Sequence, residues 1–168
     1  MRRTTLIFNI WLTLLFLVSG TGCVTVKLAN DAGKKATGVS LQEPKKHFAR
    51  DSRADVDAAW KNSKNGNVIS YISDCGDPSD PSLDQIISGV VSGLGEMKTV
   101  EDTTPIIQDR EARRVLVTGK VDGVPTEIDL LTYKRNHCIY ILTLVGVKKT
   151  FADDRPTFNK FIDGFRAP

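Results

Sequence analysis

The chain has 168 residues, 40% hydrophobic and 26% charged, a globular composition that excludes wholesale disorder, a collagen-like repeat and a multi-span membrane protein. That length suits one typical domain and leaves little room for a second. The net charge is +3, yet Arg2 and Arg3 precede every acid, so the chain after residue 22 carries 21 cations against 20 acids; so balanced a body argues against nucleic acid as a major ligand.

Residues 1–22 read in three zones. Arg2 and Arg3 form a short positive region, and residues 6–18 are apolar apart from Asn9 and Thr13. This run is shorter than the roughly 20 residues of a membrane-spanning helix and fits the core of a signal peptide. Small residues then lead into a cysteine, Ser19-Gly20-Thr21-Gly22-Cys23. This stretch resembles the lipobox of bacterial lipoproteins, although Leu is commoner where Gly20 stands. The resemblance implies cleavage before Cys23, a lipid on its sulfur and acylation of the new amine. Two or three acyl chains hold firmly, where one binds reversibly. Val24 and Thr25 follow Cys23, without the Asp that retains enteric lipoproteins at the inner membrane. In a host with two membranes the family rule therefore implies the outer membrane, facing the periplasm. Simple secretion, with Cys23 a passive thiol, and an uncleaved anchor stay open. The expected organisation is a signal peptide over 1–22, a lipidated tether over 23–37 and one α+β domain over 38–168. The alternation of Val24, Val26 and Leu28 leaves room for an added edge strand in the tether.

The folded part begins with a short strand expected over 38–43, closed by Pro44, and a second over 56–61. Asn65-Gly66 suits a tight turn, because both residues tolerate positive φ. The β-branched and aromatic run 67–74 then reads as a strand, with Trp60 and Tyr71 across neighbouring strands. Over 79–94 the period changes. Leu83, Ile86, Ile87, Val90, Val91 and Leu94 fall on one helical stripe. Asp80 is the expected cap, Pro81 the first helical residue and Gly95 the stop. Gly89 and Gly93, four apart, suggest close approach to a sheet. Three strands follow. The first covers 113–121 and ends at the hairpin signal Asp122-Gly123; the second covers 124–134 and ends at a turn on Arg135-Asn136. The third, 137–147, is apolar on both alternations and should be covered on both faces. A last helix over 155–165, capped by Asp153 or Asp154, carries Phe158, Phe161, Ile162 and Phe165 on one face.

The order of these elements gives a second resemblance. Ala59-Trp60 before Asn65-Gly66, the run from Cys138 to Val147, and Phe158, Phe161, Ile162 and Phe165 together resemble the PsbP-like α/β/α sandwich. The implied fold is an antiparallel β-sheet flanked by helices. Members of that fold act mostly as binding or assembly accessories, so it restricts function little.

With Cys23 lipidated, Cys75 and Cys138 remain. An even count in an oxidising compartment favours a disulfide between them, two separate thiols being the alternative. His137 adjoins Cys138, but strand neighbours point to opposite faces, which is poor geometry for a thiol–imidazole pair. There is no P-loop, no GxSxG elbow and no His pair with metal spacing. Asp74, Asp77 and Asp80 admit Ca²⁺, but a strand-to-helix loop explains them without metal. No cofactor and no metal are therefore expected. Arg110, Arg113 and Arg114 before one strand, and Lys148-Lys149 after another, could touch anionic lipid or wall polymer; a solvated strand edge is the plainer reading.

The expected function is a non-catalytic lipoprotein, moored to the membrane through Cys23, that docks an envelope protein or binds a small ligand. Two rivals stand beside it. One is an envelope hydrolase built on Glu111, Glu127 and Asp129, which needs two of these carboxylates to meet in a cleft. The other is a purely structural surface lipoprotein.

Overall fold

The computed structural model describes residues 34–52, 55–76 and 78–168. The expected signal peptide and Cys23 lie outside the described residues. Among the described residues eight strands, all paired antiparallel, form one sheet: β1 (Phe48–Arg50), β2 (Ala58–Asn62), β3 (Val68–Cys75), β4 (Gly95–Thr103), β5 (Ile106–Ile107), β6 (Arg110–Val121), β7 (Val124–Arg135) and β8 (Cys138–Val147). The spatial order is β1-β2-β3-β8-β7-β6-β4, with β5 also paired to β6. Helix α1 (Leu83–Val91) covers one face. The short α2 (Lys148–Phe151), a 3₁₀ turn at Ala152–Asp154 and α3 (Arg155–Gly164) lie on the other side. An antiparallel sheet between helices is the α+β class expected.

The meander β6–β7–β8 forms the centre because its residues suit burial on both faces. Tyr133, Tyr140, Leu142 and Leu144 pack towards α3, whereas Leu130, Ile139 and Ile141 pack towards α1. On the α3 face Trp60 meets Phe161 edge-on at 5.5 Å, Tyr133 stacks on Tyr140 at 5.3 Å, and Phe165 abuts Tyr71 and Tyr140. Trp60 and Tyr71 do lie on neighbouring strands, each two residues from the other's direct partner and so on the same face.

Both meander turns use left-handed residues, Asp122-Gly123 (φ 49° and 80°) and Asn136-His137 (φ 49° and 60°), the backbone that matches strand twist. The second turn lies one residue beyond Arg135-Asn136, so His137 is a turn residue and β8 begins at Cys138. The first turn of the sheet is wider than Asn65-Gly66 alone. Asn62 N–H donates to the Asn67 carbonyl, and Gly66 supplies a φ of 80°.

Several elements depart from expectation. Residues 38–43 form no strand, only a bridge between Ser40 and Arg166, and the outer strand is β1. Lys34 already bridges to Cys75, and Ala36 N–H donates to Ser73 Oγ, so residues 34–37 lie against β3. Helix α1 starts later than Asp80-Pro81, because Ser82 and Gln85 form a reciprocal capping box: Gln85 N–H donates to Ser82 Oγ at 3.2 Å, and Gln85 Oε1 accepts from Ser82 N–H at 2.8 Å. Gly95 opens β4 rather than stopping the helix. A side chain on Gly89 would meet nothing within 4 Å, so close approach is not its use. That use belongs to Gly119, where a Cβ would lie 2.7 Å from Leu94 Cδ2, and to Gly146, where it would collide with the Asn67 amide.

Strand β4 was not expected at all. Every residue of GEMKTVEDT is exposed, so it carries no burial alternation. It joins the sheet through backbone pairing to β6, with two register shifts.

Candidate functional site

At one end of the sheet the strand termini build a concave site. Cys75 ends β3 and Cys138 begins β8, directly opposite in register. They are joined by the expected disulfide, which spans 63 residues of sequence. Gly76 N–H then donates to the His137 carbonyl at 2.9 Å. The β7–β8 turn is fixed from its other side: Arg135 Nε and Asn136 Nδ2 both donate to the Pro168 carbonyl, at 3.1 and 2.8 Å, and Arg135 Nη1 donates to the Gln108 carbonyl at 2.9 Å. Gln108 sits in the β5–β6 turn, and its amide bonds Tyr133, Phe165 and Ala167. The walls are therefore held by a covalent bond and by side-chain anchors.

The cleft so formed is about 640 Å³. Asp74, Ile139 and Lys134 line it as direct neighbours on β3, β8 and β7, which puts Asp74 and Lys134 roughly 10 Å apart from strand spacing. Lys134 reaches out to Asp80 in the loop before α1. Arg110, Arg135 and Asp80 complete the charged lining, and His137 of the turn lies beside them. Asp77 lies outside the described residues, and among the described residues no three His, Cys, Asp or Glu side chains gather to hold a metal ion.

The three arginines that open β6 have different fates. Arg113 is held by Asp102, at 2.5 Å, and Asp84. Arg114 makes a two-pronged pair with Asp129 at 2.8 Å and bonds Asn159. Arg155 of α3 joins this network, bonding Asp129 at 3.2 Å and Glu101 through both terminal nitrogens. The Arg155 hydrogen bonds hold the Glu101 carboxyl below its usual range, and those from Arg113 do the same for Asp102. Arg110 alone of the three has no ion pair or side-chain hydrogen bond among the described residues.

The carboxylates of the hydrolase reading are not brought to one point. Asp129 is fully buried but spent on Arg114 and Arg155. Glu127 shares its face, two residues away. Glu111 is exposed and points to the opposite face, since its neighbour Ala112 pairs with Tyr133, which is on the Asp129 side. Asp154, a candidate cap for α3, makes no cap hydrogen bond. Its carboxylate instead accepts from the side-chain amides of Asn62, Asn65 and Asn67 at 2.8–3.0 Å, stapling the β2–β3 turn to the start of α3.

Two site features escaped sequence reasoning. One is the pairing of Lys134, Arg135 and His137 with Arg110 around a single cleft; the run Lys134-Arg135-Asn136-His137 beside Cys138 was the available signal. The other is the edge formed by β4 and β5, which lie end to end along β6 and expose Met97, Val100 and Ile106 by 45, 56 and 68%. Among the described residues no helix is long and apolar enough to cross a membrane.

No family model matches the sequence, and no curated protein does. The fold is found in solved structures. LpqN of Mycobacterium tuberculosis, described as involved in cell envelope biogenesis, aligns over 82% of this chain and 87% of its own, at a TM-score of 0.57 and 13% identity. CyanoP of Synechocystis sp. PCC 6803, a cyanobacterial PsbP, aligns over 83% of this chain and 97% of its own, at 0.48 and 10%. PA94 of Pseudomonas aeruginosa, of unknown function, aligns over 71% and 80%, at 0.46 and 13%. At these identities the likeness to LpqN shows the fold of the chain: a single antiparallel sheet between helices.

Proposed function

We propose that the protein is a membrane-anchored envelope lipoprotein whose domain is a non-catalytic accessory that docks another envelope protein. The observation that carries this reading is the β4–β5 edge. An exposed sheet edge offers unpaired backbone groups and is a surface for partners; this one also presents Met97, Val100 and Ile106. The mooring rests on the lipobox-like stretch before Cys23, and the oxidising compartment it implies agrees with the Cys75–Cys138 bridge. The envelope role described for LpqN, which shares the fold, points the same way. An outer-membrane location is part of the proposal and follows from Val24 and Thr25 after Cys23.

The test combines anchoring and docking. Photo-crosslinking residues are placed at Val100 and Ile106 in the full chain, expressed in its host, and the membrane-extracted protein is weighed intact. The reading expects a mass lacking 22 residues and carrying acyl chains, together with one discrete crosslinked envelope protein. A mature chain that stays water-soluble with Met1 in place, or an edge that crosslinks to nothing, overturns it.

A further inference from the structure

We propose that the cleft beside the β7–β8 turn binds a small phosphate-bearing polyol, a second activity beyond docking at the β4–β5 edge. A volume of about 640 Å³ lies within the range of small-molecule sites. Arg110, Lys134 and Arg135 line it, and their charges are incompletely answered. Arg110 has no acid partner among the described residues, whereas Arg135 is held by the Gln108 carbonyl and by an oxygen of Pro168, the last residue. Lys134 is paired with an acid, Asp80, which is exposed, and this leaves Arg110 as the cation of the lining without a partner among the described residues. This contrasts with Arg113, Arg114 and Arg155, each matched to a carboxylate elsewhere on the molecule. Arginine donors suit phosphate oxygens, and a phosphate monoester brings roughly −1.5 to −2 charge.

The cations come from neighbouring strand termini at one end of the meander, Arg110 from the start of β6 and Lys134 and Arg135 from the end of β7, with His137 in the turn between β7 and β8. Such a spread suits a tetrahedral group with several oxygens better than a planar carboxylate. Asp80 lines the same space, and its carboxylate oxygen not held by Lys134 accepts hydrogen bonds from ligand hydroxyls. Ile139 and the disulfide edge at Cys138 supply a small apolar floor. The bridge, the Gly76–His137 bond and the Arg135 and Asn136 anchors fix the walls before binding, which lowers the ordering cost. The same headgroup chemistry occurs in a free phosphorylated polyol and in phosphatidylglycerol.

The test uses the full mature chain, ¹⁵N-labelled, in phosphatidylcholine bicelles. Glycerol 3-phosphate is titrated in, with acetate at equal ionic strength as control. Saturable shifts are expected at the amides of Gly76, Asn136, His137 and Ile139. Arg110→Gln should weaken them about tenfold, the loss expected for one charged hydrogen bond, while Lys148→Gln leaves them unchanged. Arg110 is exposed, so unmoved shifts elsewhere will show that the variant folds. Doping with phosphatidylglycerol separates the sources: the same shifts assign a lipid headgroup, and their absence assigns a soluble ligand. No saturable shift, equal shifts with acetate, or indifference to Arg110→Gln overturns the proposal. Docking is read independently, because crosslinking at Val100 does not depend on Arg110.

Discussion

Single side chains decide much of the local stability, and charge pairing is the most legible example. Asp102 titrates below the ordinary aspartate value because Arg113 hydrogen-bonds its charged form. A depressed folded value means that this pair stabilises the native state above the unfolded carboxyl range, and the benefit is lost as pH falls through the folded value. Asp102 and Arg113 are solvent-facing, so the energy is small; the titration midpoint is the measurement. Carboxyl ¹³C shifts of Asp102 should titrate below the usual range in the native protein and return to it in Arg113→Ala. Tyr133 moves the other way. Burial pushes its hydroxyl up to about 12, so stability should decline as pH rises from about 10, where an unfolded tyrosine already ionises. Asp154 is a stronger case. It is buried, and three asparagine amides donate to it. Asp154→Ala strands those donors and should cost about 3 kcal/mol in urea unfolding; a loss below about 1 kcal/mol would show that water replaces the carboxylate.

Among elements, α3 contributes most of one core. Phe158, Phe161 and Phe165 are almost wholly buried against Trp60, Tyr71 and Tyr140. Phe161→Ala removes the ring that meets Trp60 and should cost about 3–5 kcal/mol, read as a fall in denaturation midpoint with unchanged m-value. This helix was readable because its aromatic residues repeat at helical spacing, and β6–β8 were readable because long β-branched runs end in left-handed turns. The start of α1 was readable in principle, since Ser82 and Gln85 carry the capping-box spacing; Asp80 turns away to Lys134 instead. Strand β4 was not readable. Its side chains face solvent at every position, and its place is set by hydrogen bonds to β6, which leave no mark on hydropathy. The candidate cleft was half readable. Arg110, Arg113 and Arg114 were visible as a cluster, but which of them keeps an unanswered charge depends on Asp84, Asp102 and Asp129, remote in sequence and brought near by pairing.

For the whole molecule, the disulfide links global stability to the compartment. The bridge joins the ends of β3 and β8, the pair that connects the β1–β3 half of the sheet to the meander. It closes a loop of 63 residues, which should restrict the unfolded chain by about 4 kcal/mol on the loop-entropy estimate. That is a large share of the roughly 5–15 kcal/mol typical of a domain. Eight residue pairs hold β3 to β8, so the fold should survive without the bond. The double variant Cys75→Ala/Cys138→Ala is therefore expected to keep the native spectrum and to unfold at a markedly lower denaturant midpoint. Native protein treated with dithiothreitol should fall to the same midpoint, and the variant should not respond to the reductant. A midpoint equal to wild type in both arms would mean that strand pairing alone fixes the β3–β8 seam. Collapse of the native spectrum would mean that the sheet halves cannot hold together without the covalent link, and the walls of the cleft would then depend on an oxidising environment.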